Sequence, residues 1–222
     1  MGNGFAMTES DTPSHYYDEL VAAFVSGRLP ALRELDGDSL IRAGIANGLR
    51  LHKFKRNSEL PRVQKVLGIL RGLQPANLLD IGSGPGTFLW PLLDSFPYLE
   101  VTTAEINWNR ASDINCVNKG GIKRVRSVIM DATRLGFADN SFDVVSALEV
   151  MEHLCNPERA IIETIRVARR FVLLSVPSHE DDNPEHIQLF TKAKLEHMLL
   201  SAGARRVKIE YVLNHMIAIA GL

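Results

Sequence analysis

The stretch NLLDIGSGPGTFLW (77–90) constrains this chain more than any other. A short β-rich run enters a glycine-rich turn and leaves it as a helix. That arrangement places the backbone N–H groups of residues 82–86 and a helix N-terminus at the carboxyl end of a strand, the usual ligand position in a parallel α/β sheet. The residues that follow repeat the pattern. The β-rich runs VTTAEI (101–106), VRSVIM (125–130), FDVVSALE (142–149) and FVLLSV (171–176) are separated by helical stretches at 86–96, around 108–118 and at 156–170. Such alternation predicts a parallel sheet covered on both faces. A helix over 191–203 leads into VKIEYVL and HMIAIAG, separated only by Asn214, which suits a terminal antiparallel hairpin.

Before Pro75 the periodicity is helical throughout. HYYDELVAAFVSG, DSLIRAGIANGLRL and LPRVQKVLGILRGL carry apolar residues at three- and four-residue spacing. Asp38 is the expected N-cap of the second helix, Pro61 suits the first turn of the third, and Asn156 and Thr191 open the later helices. The chain therefore divides into a helical extension, 1–74, and an α/β domain, 75–222. Its 222 residues exceed the ~150 of a typical domain by about that extension. With 45% hydrophobic and 23% charged residues it is neither disordered, collagenous nor coiled coil. Cys116 and Cys155 show no C-x-x-C spacing, which argues against a disulfide scaffold or zinc knuckle. No apolar run spans a bilayer and MGNGFAMTES lacks a signal pattern, so no membrane association and a cytoplasmic location are expected. Ala6 breaks the myristoylation pattern.

The glycine loop can be read further. In a dinucleotide fingerprint beginning at Gly82 and Gly84, the third glycine would fall at 87, which is Thr87; no G-x-x-x-x-G-K-[ST] follows a strand either. Carboxylates stand in their place. Asp80 precedes the glycines, Glu105 closes the second strand and Asp131 follows the third. An acidic crevice without phosphate grips favours a ligand with a cationic centre and hydroxyl donors.

At these residues, and through FDVVSALEVMEHL, the chain resembles the class I S-adenosylmethionine-dependent methyltransferases, over roughly 75–222. The resemblance implies a Rossmann-like seven-stranded sheet of order 3-2-1-4-5-7-6 whose last hairpin is antiparallel, with S-adenosyl-L-methionine as cofactor. Asp80, Gly82, Ser83, Gly84 and Gly86 would then surround the methionine moiety. Glu105 would accept hydrogen bonds from the ribose, and Asp131 with Ala132 would lie beside the adenine. Ile106, Trp108 and Leu135 are candidate apolar walls, although such spacing equally describes core, and Glu149 would reach the site from the end of the fourth strand.

Methyl transfer from a sulfonium is an in-line displacement, in which alignment alone can supply about 7 to 11 kcal/mol. Glu149, His153 and His186 are the candidate catalytic groups, since both loops that carry them lie at the carboxyl edge and either imidazole could take a proton near neutral pH. Glu149, Glu152, His153 and His186 also resemble the two-Glu, two-His metal site of RNA 3′-terminal ribose 2′-O-methyltransferases of the Hen1 type, where Mg²⁺ or Mn²⁺ would activate the hydroxyl. The same segments recur in small-molecule methyltransferases related to ubiquinone and menaquinone biosynthesis. There, no metal is needed, and Glu152 and His153 would hydrogen-bond the next loop. Glu180, Asp181, Asp182 and Glu185 read as a solvated lid.

Net charge is −1, yet residues 42–71 carry +7. RLHKFKR, with Phe54 between cations, has the ingredients for phosphate contact and base stacking. Charge runs are more often wet helix faces, and a cap over the acceptor pocket is the leading expectation for these helices. The sequence thus favours transfer to an oxygen or nitrogen of a small molecule, with metal-assisted RNA 2′-O-methylation as the alternative. From another class, a non-catalytic adenosyl-ligand-binding subunit remains.

Overall fold

The computed structural model describes residues 16–56, 60–179 and 182–222. Glu59, counted in the basic stretch, and Glu180 and Asp181 of the expected lid lie outside the described residues.

Three helices precede the sheet: α1 (Asp18–Arg28), α2 (Gly37–Ala46) and α3 (Pro61–Leu73). The remainder alternates as β1 (Asn77–Ile81), α4 (Leu89–Ser95), β2 (Glu100–Glu105), α5 (Trp108–Lys119), β3 (Val125–Ile129), β4 (Phe142–Leu148), α6 (Pro157–Val167), β5 (Ala168–Pro177), α7 (Lys192–Ser201), β6 (Arg206–Val212) and β7 (His215–Gly221). The strands form one sheet of order β3-β2-β1-β4-β5-β7-β6. Strands β1 to β5 pair in parallel, and β7 runs antiparallel to both β5 and β6.

Local chemistry accounts for most boundaries. Asn156 accepts from the Arg159 N–H at the start of α6, and Thr191 does the same for Lys194 in α7. Pro61 occupies the first turn of α3. Three boundaries differ from the pattern. Helix α2 is capped by Asp36, whose extended backbone lets its carboxylate accept from Ser39 N at 2.8 Å, so Asp38 lies inside the first turn. Helix α4 begins at Leu89 because the glycine turn occupies its expected start. Residues 168–170 belong to β5 rather than α6: Ala168 pairs with Phe142 in the sheet, leaving Arg169 exposed to engage Asp143.

Strand alternation sends Leu78, Val101, Val144 and Leu173 to one face and Leu79, Ala104, Val145, Val172 and Leu174 to the other. The second face is covered by α6 and α7. The first is covered by α4 and α5 together with the N-terminal helices, whose Leu20, Phe24, Val66, Leu67 and Leu70 share that core. One apolar layer therefore runs across Pro75. Helix α1 sits so close to α5 that a Cβ on Gly27 would lie 1.9 Å from Cys116 O, and one on Gly120 1.7 Å from Ala23 O.

The basic segment folds into the same layer. Phe54, the residue that the RNA alternative would use to stack a base, is fully buried, with its ring centroid 5.1 Å from Phe24 and 4.7 Å from Trp90. Burial of an aromatic ring outweighs its basic neighbours, so Phe54 offers no face to a base. Lys53 pairs with Asp113, Arg56 makes two hydrogen bonds to Asp94 at 2.9 and 2.7 Å, and Lys65 pairs with Glu210. Acids from α4, α5 and β6 thus answer much of the positive charge. No helix among the described residues is long and apolar enough to cross a membrane.

Candidate active site

A cavity of about 500 Å³ opens at the carboxyl ends of β1, β2 and β4. The glycine loop forms its floor, Glu105 and Ile106 one wall, and Glu149, Val150 and His153 another; Arg62 and Val63 of α3 and Glu185 close over it.

Asp80 lies on β1 with 2% exposure and accepts from Ser83 Oγ at 2.6 Å and Ser146 Oγ at 2.7 Å. Burial pushes its carboxyl up to about 6, against the two hydroxyl donors, with the nearby Glu105 charge adding to the rise. Such a group is poised to meet a cation. The loop that follows depends on glycine. Gly84 (φ +55) and Gly86 (φ +94) have left-handed backbones, and a Cβ on Gly86 would lie 1.9 Å from Trp90 Nε1, which donates to Pro85 O at 2.9 Å. A Cβ on Gly84 would instead touch only Gly82 O, at 3.9 Å, beside the cavity that Gly84 lines. The backbone is bare where a ligand approaches.

Glu105 is buried at the end of β2, with Oε2 accepting from Gly84 N and Oε1 from Asn107 N, each at 3.0 Å. Each carboxylate oxygen keeps a second lone pair for a ligand hydroxyl. Ile106, 71% exposed, extends the same wall. Asp131 and Ala132 lie past β3, at the same sheet edge but outside this cavity's lining. The Asp131 carboxylate accepts from the Thr133 backbone N–H and hydroxyl, which hold it below the usual range. Trp108 is 65% exposed at the head of α5, and Leu135 is core, its N–H bound to Glu163.

The groups expected after β4 divide into two clusters. Glu149, at φ +58, accepts from Ser175 Oγ and from His215 Nε2, the latter at 2.9 Å, with Arg62 Nε 3.9 Å away. Burial raises its carboxyl, but His215, Ser175 and Arg62 outweigh that and hold it below the ordinary value. A non-glycine residue in that backbone region signals a position over-determined by its surroundings. Glu152, His153 and His186 gather separately, with ligand atoms within 4.8 Å of one another. His153 Nδ1 lies 2.9 Å from Glu185 O, and His186 Nε2 3.0 Å from Asn183 Nδ2. The structure therefore brings three of the four residues of the metal alternative together and commits the fourth, Glu149, elsewhere.

A family model described as a methyltransferase domain matches residues 79–174, which carry the glycine loop, Glu105, Asp131, Glu149, Glu152 and His153. The chain carries a class I S-adenosylmethionine-dependent methyltransferase domain. The chain is similar to a malonyl-[acyl-carrier protein] O-methyltransferase of Geobacter sulfurreducens, 25% identical over 171 residues, or 66% of this chain and 63% of that one. It is also similar to a demethylmenaquinone methyltransferase of Mycolicibacterium paratuberculosis, 32% identical over 120 residues, or 51% of each chain. The chain thus spans between half and two thirds of the length of these relatives. A SAM-dependent methyltransferase from Aquifex aeolicus has the same fold, with a TM-score of 0.59 and 24% identity over 73% of this chain and 90% of its own. So does a magnesium protoporphyrin IX methyltransferase from Synechocystis, with a TM-score of 0.59 and 17% identity over 72% and 81%.

Several site residues of this methyltransferase domain went unread in the sequence. Ser146 and Ser175 left a signal, since each is a hydroxyl inside an otherwise apolar strand. His215 and Arg62 left none, because their partner Glu149 is reached only through the pairing of β7 with β5 and the docking of α3.

Proposed function

We propose that this chain transfers a methyl group from S-adenosyl-L-methionine to an oxygen or nitrogen of a small-molecule acceptor. The observation that carries this reading is the pairing of a bare glycine turn with two buried carboxylates, Asp80 and Glu105, around one cavity. The residues suit such a cofactor: Asp80 with the Gly82–Gly86 backbone and Ser83 for its cationic amino-acid end, Glu105 for the ribose hydroxyls, Ile106 for an apolar face, and Asp131 with Ala132 for the adenine. When bound, that cofactor supplies a methyl group on a positively charged sulfur.

The chain's own contribution is binding, orientation and proton handling. Glu149 presents a fixed, ionised carboxylate to the cavity, able to accept a hydrogen bond from the acceptor's hydroxyl or amine and orient its lone pair. Its lowered pKa makes it a better orienting group than base. His153, on the same wall and hydrogen-bonded to the Glu185 carbonyl, is the group placed to take a proton, with His186 edge-on beside it at 4.8 Å between centroids. Helix α3 and the segment around Glu185 limit water at the cavity.

The gathering of Glu152, His153 and His186 favours looking at a metal-assisted RNA 2′-O-transfer as well. With Glu149 bound to Ser175 and His215, the four-residue set does not fit that role.

The reading is tested in two stages. Calorimetry should show S-adenosyl-L-methionine binding to the chain and lost from Gly84→Ala, whose added methyl group stands beside the cavity. Binding of NAD alone would overturn the proposal. Incubation with methyl-labelled cofactor and fractionated small-molecule and RNA pools should then place label in the small-molecule pool. Label in RNA would revive the alternative acceptor, and binding without transfer to any pool would favour an adenosyl-binding subunit.

A further inference from the structure

Glu149 stands one residue past the end of β4, where the chain leaves the sheet, and its side chain lines the cavity. A glutamate side chain ends in a carboxylate whose last torsion is broad, so one hydrogen bond leaves the group free to swing. Here both oxygens are held. Oε1 accepts from Ser175 Oγ on β5, and Oε2 accepts from His215 Nε2 on β7 at 2.9 Å. The backbone is tied to the same place, with Glu149 N donating to Ser175 O at 2.9 Å. Two donors on two different strands define the plane of the carboxylate.

The second donor is itself fixed. His215 opens β7, where it pairs with Pro177 of β5 on one side and with Val212 of β6 on the other. Ser178 N donates to Asn214 O at 2.8 Å, closing the strand end next to it. An ionised carboxylate only accepts, so Nε2 is the ring nitrogen that carries the proton toward it. His215 does not itself line the cavity. Arg62 Nε, 3.9 Å from Oε1, is beyond hydrogen-bond range and adds positive charge without taking a lone pair. Each carboxylate oxygen therefore keeps a lone pair for a ligand.

We propose that His215 is a positioning residue for methyl transfer: together with Ser175 it clamps Glu149 from behind, so that the carboxylate meets the acceptor's donor group in one orientation. This deepens the methyltransferase reading and rests on it. The clamp also accounts for the left-handed backbone of Glu149, φ +58, which a glutamate adopts only where its surroundings hold it. Alignment of the acceptor is the main contribution open to the protein in an in-line displacement, and a swinging carboxylate would forfeit it. The imidazole acts through Glu149 and touches neither reactant.

The test needs no knowledge of the acceptor. Sinefungin carries an amine-bearing carbon where S-adenosyl-L-methionine carries its methylated sulfur, so its ammonium group reports on a carboxylate aimed at the transfer point. Calorimetry compares it with S-adenosylhomocysteine, which lacks that group, on the full chain. The wild type should prefer sinefungin by about tenfold, the worth of a charge-assisted hydrogen bond. His215→Leu should bind S-adenosylhomocysteine as the wild type does and lose most of that preference. His215→Gln, whose amide can donate to the same oxygen, should restore it. Ser175→Ala removes the other donor and should lower the preference too, which keeps the test decisive if His215→Leu does not fold. A wild type without the preference, or a preference unchanged by both His215→Leu and Ser175→Ala, would overturn the proposal. So would equal losses of both ligands in these variants, the mark of a merely structural role. Failure of the wild type to bind S-adenosylhomocysteine at all would instead remove the methyltransferase reading, and this assignment with it.

Discussion

Asp80 is where a single side chain governs the most. Its folded-state carboxyl is raised to about 6 from 3.8, chiefly by burial. Because the folded state holds this proton more tightly than the unfolded chain, the group weakens the fold above about pH 6, by up to about 3 kcal/mol, and that cost disappears as pH falls toward 3.8. Asp80→Asn should therefore unfold at higher denaturant than the wild type at pH 7.5, with the gap closing toward pH 4. Binding runs the other way. A cationic cofactor needs the ionised form, so wild-type affinity for S-adenosyl-L-methionine should fall as pH drops through about 6, and Asp80→Asn should bind more than tenfold more weakly at pH 7.5. Calorimetry across pH 5 to 8 checks both; a flat profile would contradict the role given to Asp80. The residue itself was legible, because an acid before a glycine turn is conspicuous. Its tuning was not, since Ser83 stands three residues away but Ser146 arrives from β4.

At the level of elements, the sequence pattern located each α-helix and strand of the α/β portion among the described residues, and failures cluster at their ends. Asp36 and Asp38 both precede the same apolar stretch, and a cap is decided by backbone geometry rather than residue type. Asp36→Ala should lower the urea midpoint clearly and Asp38→Ala much less. Equal effects would mean the Asp36–Ser39 bond contributes nothing. The burial of Phe54, which removes the base-stacking alternative for the 52–56 segment, was hidden for a related reason. Basic residues in sequence announce an exposed surface only when their partners are invisible, and Asp113 and Asp94 lie 60 and 38 residues away. The Glu149–His215 pair was hidden likewise, because it requires the register that sets Pro177 opposite His215.

For the molecule as a whole, the boundary near Pro75 marks a change of secondary structure within a shared apolar layer. A fragment of residues 75–222 would expose the faces of α4 and α5 that Phe24, Phe54 and Leu67 cover. It should lack the near-ultraviolet dichroism and cooperative unfolding of the full chain, which should itself unfold in one transition; a fragment with native-like cooperativity would show that the sheet closes without its helices. Sheet order imposes a second dependence, on time rather than space. Strand β7 is the last of the seven in the chain, yet it sits between β5 and β6 and supplies both with their hydrogen bonds. During synthesis, β5 must wait for residues 215–221 with an open, apolar edge. The interval between making α6 and releasing β7 is therefore when the nascent chain is most exposed to mispairing with its neighbours on the ribosome.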